Sequence, residues 1–594
     1  MFPSRVPSVS LSVLCVESGI VLAGLLKVAV VFSASSAFSA VKRRGFFTRS
    51  KAGPYVRSFT LIAALVLLNA SLSFHNIWPT PAIGWRGELS IELAVILLMM
   101  IAARRWLAPP SRTALRWMAA IWVLLVLGHY ADVTTPALYG RDINLYWDVR
   151  YMPDVAAMVV RAAPLWLIAL AATAVTLIVV LLYLTCRWSL RRVGDALADS
   201  RARRWIGIVA AAVIVVYAGQ QLIARFSDEV YPFEPAVAFA TPVTQTYARQ
   251  ARLVIDARSG SKALGASPPM DGDLALVQGA DVFLLFIESY GAASYERQDI
   301  APHLAASRAG LEAAIRDTHR DVVSAYVESP TFGGSSWLAH VSLMSGVEVR
   351  DAASNASLMT QKRETMVTAF ERHGYRTVAL MPGLRQRWPE GAFYGFDDIY
   401  GAARLDYRGP EFGWFAIPDQ FSLARFETLE RGQPSGSPRF LFFPTISTHF
   451  PFSPTPPYQS DWARMLTDRP YDGPAIVDAY GQEPDWTSFG PGYVDAIAYA
   501  YATLSGYLRT TADRDRILIV LGDHQPPAAV SGGSAPWYVP VHVIVRTGSA
   551  PDRSRILDRL VARGFRAGVA PQRPALGRMH TLLPVLLDAF SERK

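Results

Sequence analysis

The chain has 594 residues, of which 51% are hydrophobic and only 18% charged, against roughly 25% charged in ordinary globular domains. This balance speaks against a purely soluble chain and for a membrane portion joined to a soluble one. The net charge is +9, but the Lys and Arg residues cluster beside apolar segments, so membrane topology accounts for them better than nucleic-acid binding. Both cysteines, Cys15 and Cys186, lie in the apolar half, which leaves the C-terminal half without a disulfide or a cysteine zinc site.

Residues 1–57 form an N-terminal extension. Within it, 9–40 is apolar and Ser-rich but interrupted by Glu17 and Lys27, and reads as a weak span, a signal-like segment or a mis-assigned start. A transmembrane domain is expected over 58–225, where five apolar segments, 59–74, 89–103, 117–131, 164–185 and 206–223, approach the roughly 20 residues that cross a bilayer. The second is short and carries Glu92.

Lys42, Arg43, Arg44, Arg49, Lys51 and Arg57 precede the first segment. Arg104, Arg105, Arg112 and Arg116 follow the second; Arg187, Arg191, Arg192, Arg201, Arg203 and Arg204 follow the fourth. The alternate connections are poorer in basic residues, with Arg86 in one and Arg141, Arg150 and Arg161 offset by four Asp in the other. Basic loops mark the cytoplasmic side, so five spans place everything after residue 223 outside the cytoplasm. The expectation is a multi-pass protein of the inner (plasma) membrane with a periplasmic C-terminal domain.

Residues 226–279, mixed and rich in Pro, Ser and Gly, read as a linker. From about residue 280 short apolar runs at 282–287, 377–381, 440–444, 517–521 and 539–545 alternate with helical patterns such as 493–508. Buried strands alternating with helices predict an α/β domain over 280–594 with a mostly parallel sheet.

In such sheets ligands bind at the carboxyl ends of the strands. The first run ends in Glu288-Ser-Tyr-Gly, a later one in Gly-Asp523-His524, and a third leads to Ser447-Thr-His449-Phe-Pro. Between them lies Gly-Gly-Ser335-Ser336, followed by His340 and by Ser345-Gly346. Singly, these are an N-cap carboxylate, a structural Asp-His pair, a turn and a lone histidine. Together, Glu288, Asp523 and His524 offer two hard oxygen donors and one imidazole, a set suited to Zn²⁺ or Mn²⁺, with Mg²⁺ also able to bind. A hydroxyl beside such an ion becomes a nucleophile. Glycines before a serine at a helix start let the backbone approach an anionic substrate.

These motifs resemble the sulfatase-like branch of the alkaline-phosphatase superfamily, and within it membrane transferases such as lipoteichoic acid synthases and phosphoglycerol and phosphoethanolamine transferases. The resemblance implies Glu288, Asp523 and His524 as metal ligands, Ser336 as the metal-bound nucleophile, and His449 as a substrate or leaving-group contact. It further implies an α-helical transmembrane domain followed by an α/β domain of the alkaline-phosphatase/sulfatase type. Such transferases usually carry Thr as nucleophile, whereas this chain offers Ser335 and Ser336; the spacing of Ser336 to Ser345-Gly346 favours the second. Trp337, Leu338, Ala339 and His340 follow Ser336 where a formylglycine pattern would have Pro and Arg, so an unmodified serine is expected.

The activity so implied moves a phospho-alcohol group, phosphoglycerol or phosphoethanolamine, from a phospholipid donor to an envelope glycan or lipid. The alternatives are a phosphodiesterase or sulfuric ester hydrolase with water as acceptor, and a non-catalytic sensor or scaffold. His340, one turn after Ser336, and Arg385, Arg387 and Trp388, after the 377–381 strand, are candidate substrate contacts. Asp419 and His580 are candidates to support the site from behind.

Overall fold

The computed structural model describes residues 54–592, apart from 78–79, 140–141, most of 150–164, 227–236, 260–263, 386–387, 389, 414, 432–435, 483–484, 486–487 and 548–552. Segment 9–40 and the basic cluster at 42–51 lie outside the described residues. The chain forms two compact units that part near residue 255.

The first unit is helical: α1 (Pro54–Ala70), a small hairpin of β1 (Phe74–Asn76) and β2 (Ile83–Trp85), α2 (Ile91–Trp106), α3 (Arg112–Tyr139), α4 (Leu165–Ala196), α5 (Ser200–Phe226) and α6 (Val243–Ser259). Each expected apolar segment falls on one of α1 to α5, although the first gives way to the hairpin before its end. Among the described residues three stretches are long and apolar enough to cross a membrane, Arg112–Leu138, Leu165–Ala196 and Ser200–Leu222. Helices α1 and α2 are shorter, at 17 and 16 residues.

Glu92, which interrupts the hydropathy of α2, is buried yet fully engaged. It accepts from Ser90 Oγ at 2.9 Å, and its other oxygen accepts from the Thr244 amide at 3.2 Å. The carboxylate therefore serves the N-termini of both α2 and α6, where a negative charge is favoured. Helix α6 lies within the 226–279 stretch that the sequence suggests as a linker. Beside Val243, which is buried in the apolar core, it is held by polar contacts: Asp132 accepts from Thr246 Oγ1 at 2.8 Å and pairs with Arg249, and Gln250 Nε2 donates to the Ile143 carbonyl at 2.7 Å. Hydropathy does not register a helix held this way.

The second unit is built on a mixed eight-stranded sheet in the order β10-β4-β9-β8-β3-β7-β5-β6. In chain order its elements are β3 (Asp281–Ile287), α7 (Ala305–Asp317), β4 (Arg320–Glu328), α8 (Ser336–Ser345), α9 (Met366–Arg372), β5 (Arg376–Met381), β6 (Asp398–Gly401), α10 (Asp419–Arg431), β7 (Arg439–Pro444), α11 (Gly490–Thr510), β8 (Arg516–Gly522), β9 (Tyr538–Arg546), α12 (Ser554–Ala562), β10 (Arg566–Ala567) and α13 (Leu582–Phe590). Strands β8, β3, β7, β5 and β6 are parallel; β9 runs antiparallel to both β8 and β4.

Alternation along β3 explains its unbroken apolar run. Val282, Leu284 and Phe286 enter one core with α8, α9, α12 and α13, while Phe283, Leu285 and Ile287 enter the other with α7, α10 and α11. A strand covered on both faces needs no polar side. Strand β4 escaped the sequence reading because buried Arg320 and Ser324 interrupt it. Arg320 donates to the carbonyls of Thr318, Thr511 and Arg514, and Ser324 Oγ donates to Gly568 O at 2.6 Å. Apart from Thr318, those partners come from distant parts of the chain.

Candidate active site

Strands β3 and β8 are neighbours in register, Ile287 opposite Gly522, so Glu288 and Asp523 leave the sheet side by side. The two loops press together: a Cβ on Gly522 would stand 1.7 Å from the Tyr290 carbonyl oxygen, and one on Gly291 1.9 Å from Gln525 Oε1. Ser289, with φ 58°, turns its amide to Asp523 Oδ1 at 2.8 Å and its hydroxyl to Glu288 Oε1 at 3.1 Å. The main chain of Glu288 is held from the β7 side. Its amide donates to Thr445 Oγ1 at 3.1 Å, and its carbonyl accepts from Thr448 Oγ1 at 2.6 Å.

Strand β4 delivers the serine loop to the same edge. Gly333, Gly334 and Ser335 all have positive φ, at 65°, 148° and 63°, which turns the chain sharply into α8. The Gly333 amide donates to the Gln525 carbonyl at 3.1 Å, tying this loop to the Asp523-His524 loop. Ser336 is thereby the first residue of α8, at a helix N-terminus that favours an anion. Ser345-Gly346, ten residues on, is the other end of that helix, where Gly346 at φ 65° caps it.

Glu288, Asp523 and His524 are 8%, 1% and 1% exposed. Each offers one ligand atom within 4.8 Å of the others. Ser336 Oγ lies among them, donating to Glu288 Oε2 at 2.8 Å and standing 3.2 Å from His524 Nε2. His524 Nδ1 is 2.8 Å from the carbonyl of Gln525, which makes Nδ1 the protonated nitrogen and leaves Nε2 as a donor to an ion.

The electrostatics call for a cation. Burial, then the charge of Glu288, pushes the Asp523 carboxyl well above the usual range. Burial works against a charge on His524, but Asp523 and Glu288 outweigh it and raise the imidazole to about 9. Burial likewise opposes the Glu288 charge, yet His524 holds this carboxyl below its ordinary value. The buried acidic pair thus draws a proton onto the adjacent His524 imidazole, and a divalent ion would supply that positive charge better. The donor set fits the ion.

The remaining candidates are distributed around this centre. His449 follows β7 in a tight turn, its amide donating to the Ile446 carbonyl at 3.2 Å. Its ring stands edge-on to Phe415, with centroids 5.0 Å apart, while Phe450 packs on Phe452 and Phe489. After His524, His449 is among the groups that hold the Glu288 carboxyl below its ordinary value. His340 rests on α8 against Phe286 and Phe442, its Nε2 buried without a hydrogen-bond partner, and burial lowers it to about 3, so it stays neutral. Trp388 stacks on Tyr394 and leans on Phe396, joining the aromatic layer that reaches His340 through Phe442. Arg385 is exposed on the loop after β5, two strands from β3, and Arg387 lies outside the described residues.

Asp419 is buried at the start of α10 and accepts from the amides of Ile446 and Ser447 at 2.8 and 3.0 Å. His580 stands apart: it lines a cavity of about 370 Å³ with Gly346, Val347, Glu348 and Ser354, beyond the C-terminal end of α8. Ser289, Thr445, Thr448 and Gln525 also support the site. All four act through main-chain bonds between loops, which no spacing in the sequence betrays.

Residues 338–538 match the sulfatase family model. That stretch of the C-terminal half is a sulfatase-type enzyme domain. No curated protein matches the chain. Among solved structures it is similar to the lipoteichoic acid synthase LtaP of Listeria monocytogenes, at 13% identity over 55% of this chain and 80% of that one, with TM-score 0.35. It is also similar to the periplasmic domain of EptC from Escherichia coli, at 13% identity over 49% and 80%, with TM-score 0.33. A third is the phosphoglycerol transferase GacH of Streptococcus pyogenes, at 13% identity over 57% and 90%, with TM-score 0.31. These are distant likenesses, and the family rests on the sequence match.

Proposed function

We propose that this sulfatase-family protein is a membrane-anchored, metal-dependent transferase that moves a phospho-alcohol group from a phospholipid to an envelope glycan or lipid. The observation that carries the reading is the Ser336 hydroxyl set inside the Glu288-Asp523-His524 cage, 2.8 Å from one ligand and 3.2 Å from another. Glu288, Asp523, His524 and Ser336 would hold one Zn²⁺ or Mn²⁺, which supplies positive charge for the ionised serine and for the oxyanion of the transition state.

In the proposed reaction Ser336 Oγ attacks phosphorus and the bond from phosphorus to the lipid alkoxide oxygen breaks. The Ser336 proton faces Glu288 Oε2. His449 gives a proton to the departing alkoxide, which leaves as diacylglycerol. The phospho-alcohol is then a diester on Ser336; an acceptor hydroxyl gives its proton to the now neutral His449, attacks phosphorus, and the bond from phosphorus to Ser336 Oγ breaks, which restores the serine. The apolar helices of the first unit suit a donor that resides in the bilayer.

The family match also favours a second reading in which water is the acceptor. The Trp337-Leu338-Ala339-His340 sequence lacks the Pro and Arg of the formylglycine pattern, which speaks against sulfate-ester cleavage by that route. Incubation with phosphatidylglycerol or phosphatidylethanolamine, followed by intact mass and peptide mapping, tests the proposal. The expected result is a phospho-alcohol adduct on Ser336 that a glycan or lipid acceptor discharges. Free phospho-alcohol at the same rate with and without acceptor would establish the hydrolase instead.

A further inference from the structure

Asp419 is a buried carboxylate facing no cation among its principal partners, which are main-chain amides, a serine hydroxyl and the charge of Glu288. Burying such a group is costly unless hydrogen bonds replace its water. Here they come from one place. Oδ1 accepts from the Ile446 amide at 2.8 Å, Oδ2 accepts from the Ser447 amide at 3.0 Å, and the Asp419 amide donates back to Ser447 Oγ at 3.0 Å. A carboxylate that only capped α10 would need none of these loop partners.

Ile446 is also the residue whose carbonyl accepts from the His449 amide and closes the turn. The other side of the same loop is anchored on Glu288 by the Thr445 and Thr448 hydroxyls. The loop is thus clamped between the metal-ligand strand and the N-terminus of α10, with the imidazole at its tip. We propose that Asp419 is a positioning residue, which sets the 445–449 loop so that His449 reaches the leaving group of the substrate held at Ser336. This rests on the proposed reading of His449 as proton donor. An Asn at 419 keeps the volume but can accept only one amide, and it turns an NH₂ against the other.

The test uses the full chain in detergent and two probes. One is a micellar phospholipid, phosphatidylglycerol or phosphatidylethanolamine, whichever the unmodified protein turns over; its alkoxide must be protonated as it leaves. The other is bis(4-nitrophenyl) phosphate, whose nitrophenolate departs without help. Asp419→Asn should lower kcat on the lipid by roughly 10- to 100-fold, the range of a misplaced general acid. The nitrophenyl probe should stay within about threefold and metal content should be unchanged, because Asp419 touches no ligand. In a His449→Ala background the same change should add almost nothing, since coupled residues are not additive.

Equal losses on both probes, loss of metal, additive effects, or a lipid rate near normal would each overturn the positioning role. A normal lipid rate in His449→Ala alone would show that the His449 reading has failed, and the inference with it. Should Asp419→Asn not fold, Ser447→Ala removes the reciprocal bond and keeps both main-chain amide bonds to the Asp419 carboxylate. It should show the same probe selectivity at roughly three- to tenfold, and no selectivity there overturns the proposal.

Discussion

At the scale of single residues, the backbone sets two adjacent serines apart. Ser335 takes the left-handed conformation that turns the chain, which frees Ser336 to begin α8 with its hydroxyl among Glu288 and His524. Ser336→Ala should therefore abolish turnover, by about 10³-fold or more as for a lost nucleophile, while the melting temperature and metal content hold. Ser335→Ala should be milder, and a larger loss at Ser335 in a rate assay would reverse the assignment. The same site predicts how metal affinity follows pH. Without a cation His524 keeps its proton up to about 9, and a metal ligand must be deprotonated. Affinity should thus rise with pH toward 9, by roughly tenfold per unit for a single displaced proton, measured by chelator competition. A flat profile between about pH 6.5 and about pH 8 would contradict the ligand role of His524. The sign for the metal-free fold follows: the His524 pKa is raised, so its contribution is present below the unfolded value near 6.5 and is lost as pH climbs through about 9.

Elements, rather than residues, carry the precision of the site. The β3–β8 register delivers both carboxylates together, and Gly522 allows the two loops to touch. Gly522→Ala would drive a Cβ into the Tyr290 carbonyl, a backbone atom that cannot rotate away. The variant should lose roughly 1–3 kcal/mol of stability, the usual cost of overpacking, and bind metal more weakly. Calorimetry and metal analysis would measure both, and a variant with normal melting and normal metal would show that these loops are looser than described. The strands β3, β5, β7, β8 and β9 are legible in the sequence because sheets covered on both faces demand continuous apolar runs. Strand β4 and the antiparallel direction of β9 are not. One depends on buried Arg320 and Ser324 finding distant partners, the other on a pairing that a run of valines leaves open.

For the whole molecule, the two units follow different rules. The first exposes apolar side chains such as Leu165, Val175, Leu181, Ile208 and Val215, suited to lipid, while the second closes its apolar residues into two cores around the sheet. If all five apolar segments cross the membrane, the basic connections would place residues beyond 223 outside the cytoplasm. A reporter enzyme that works only outside the cytoplasm should therefore be active when fused to the C-terminus. Activity confined to a cytoplasmic reporter would mean a different number of spans.

The sequence by itself determined the apolar segments, the alternation of strand and helix, and the residue types that could bind a metal. Each of these is written locally, in hydrophobic period or in chemistry at the end of a strand. Only the tertiary structure decided that Glu288, Ser336 and the adjacent Asp523 and His524 share one cage, because these three places stand far apart in the chain and meet through strand order. It also decided that Glu92 serves two helix N-termini, that His580 lies elsewhere, and that Asp419 holds the His449 loop. Hydrogen bonds between loops depend on which backbone atoms the fold brings together, and that information has no period to be read.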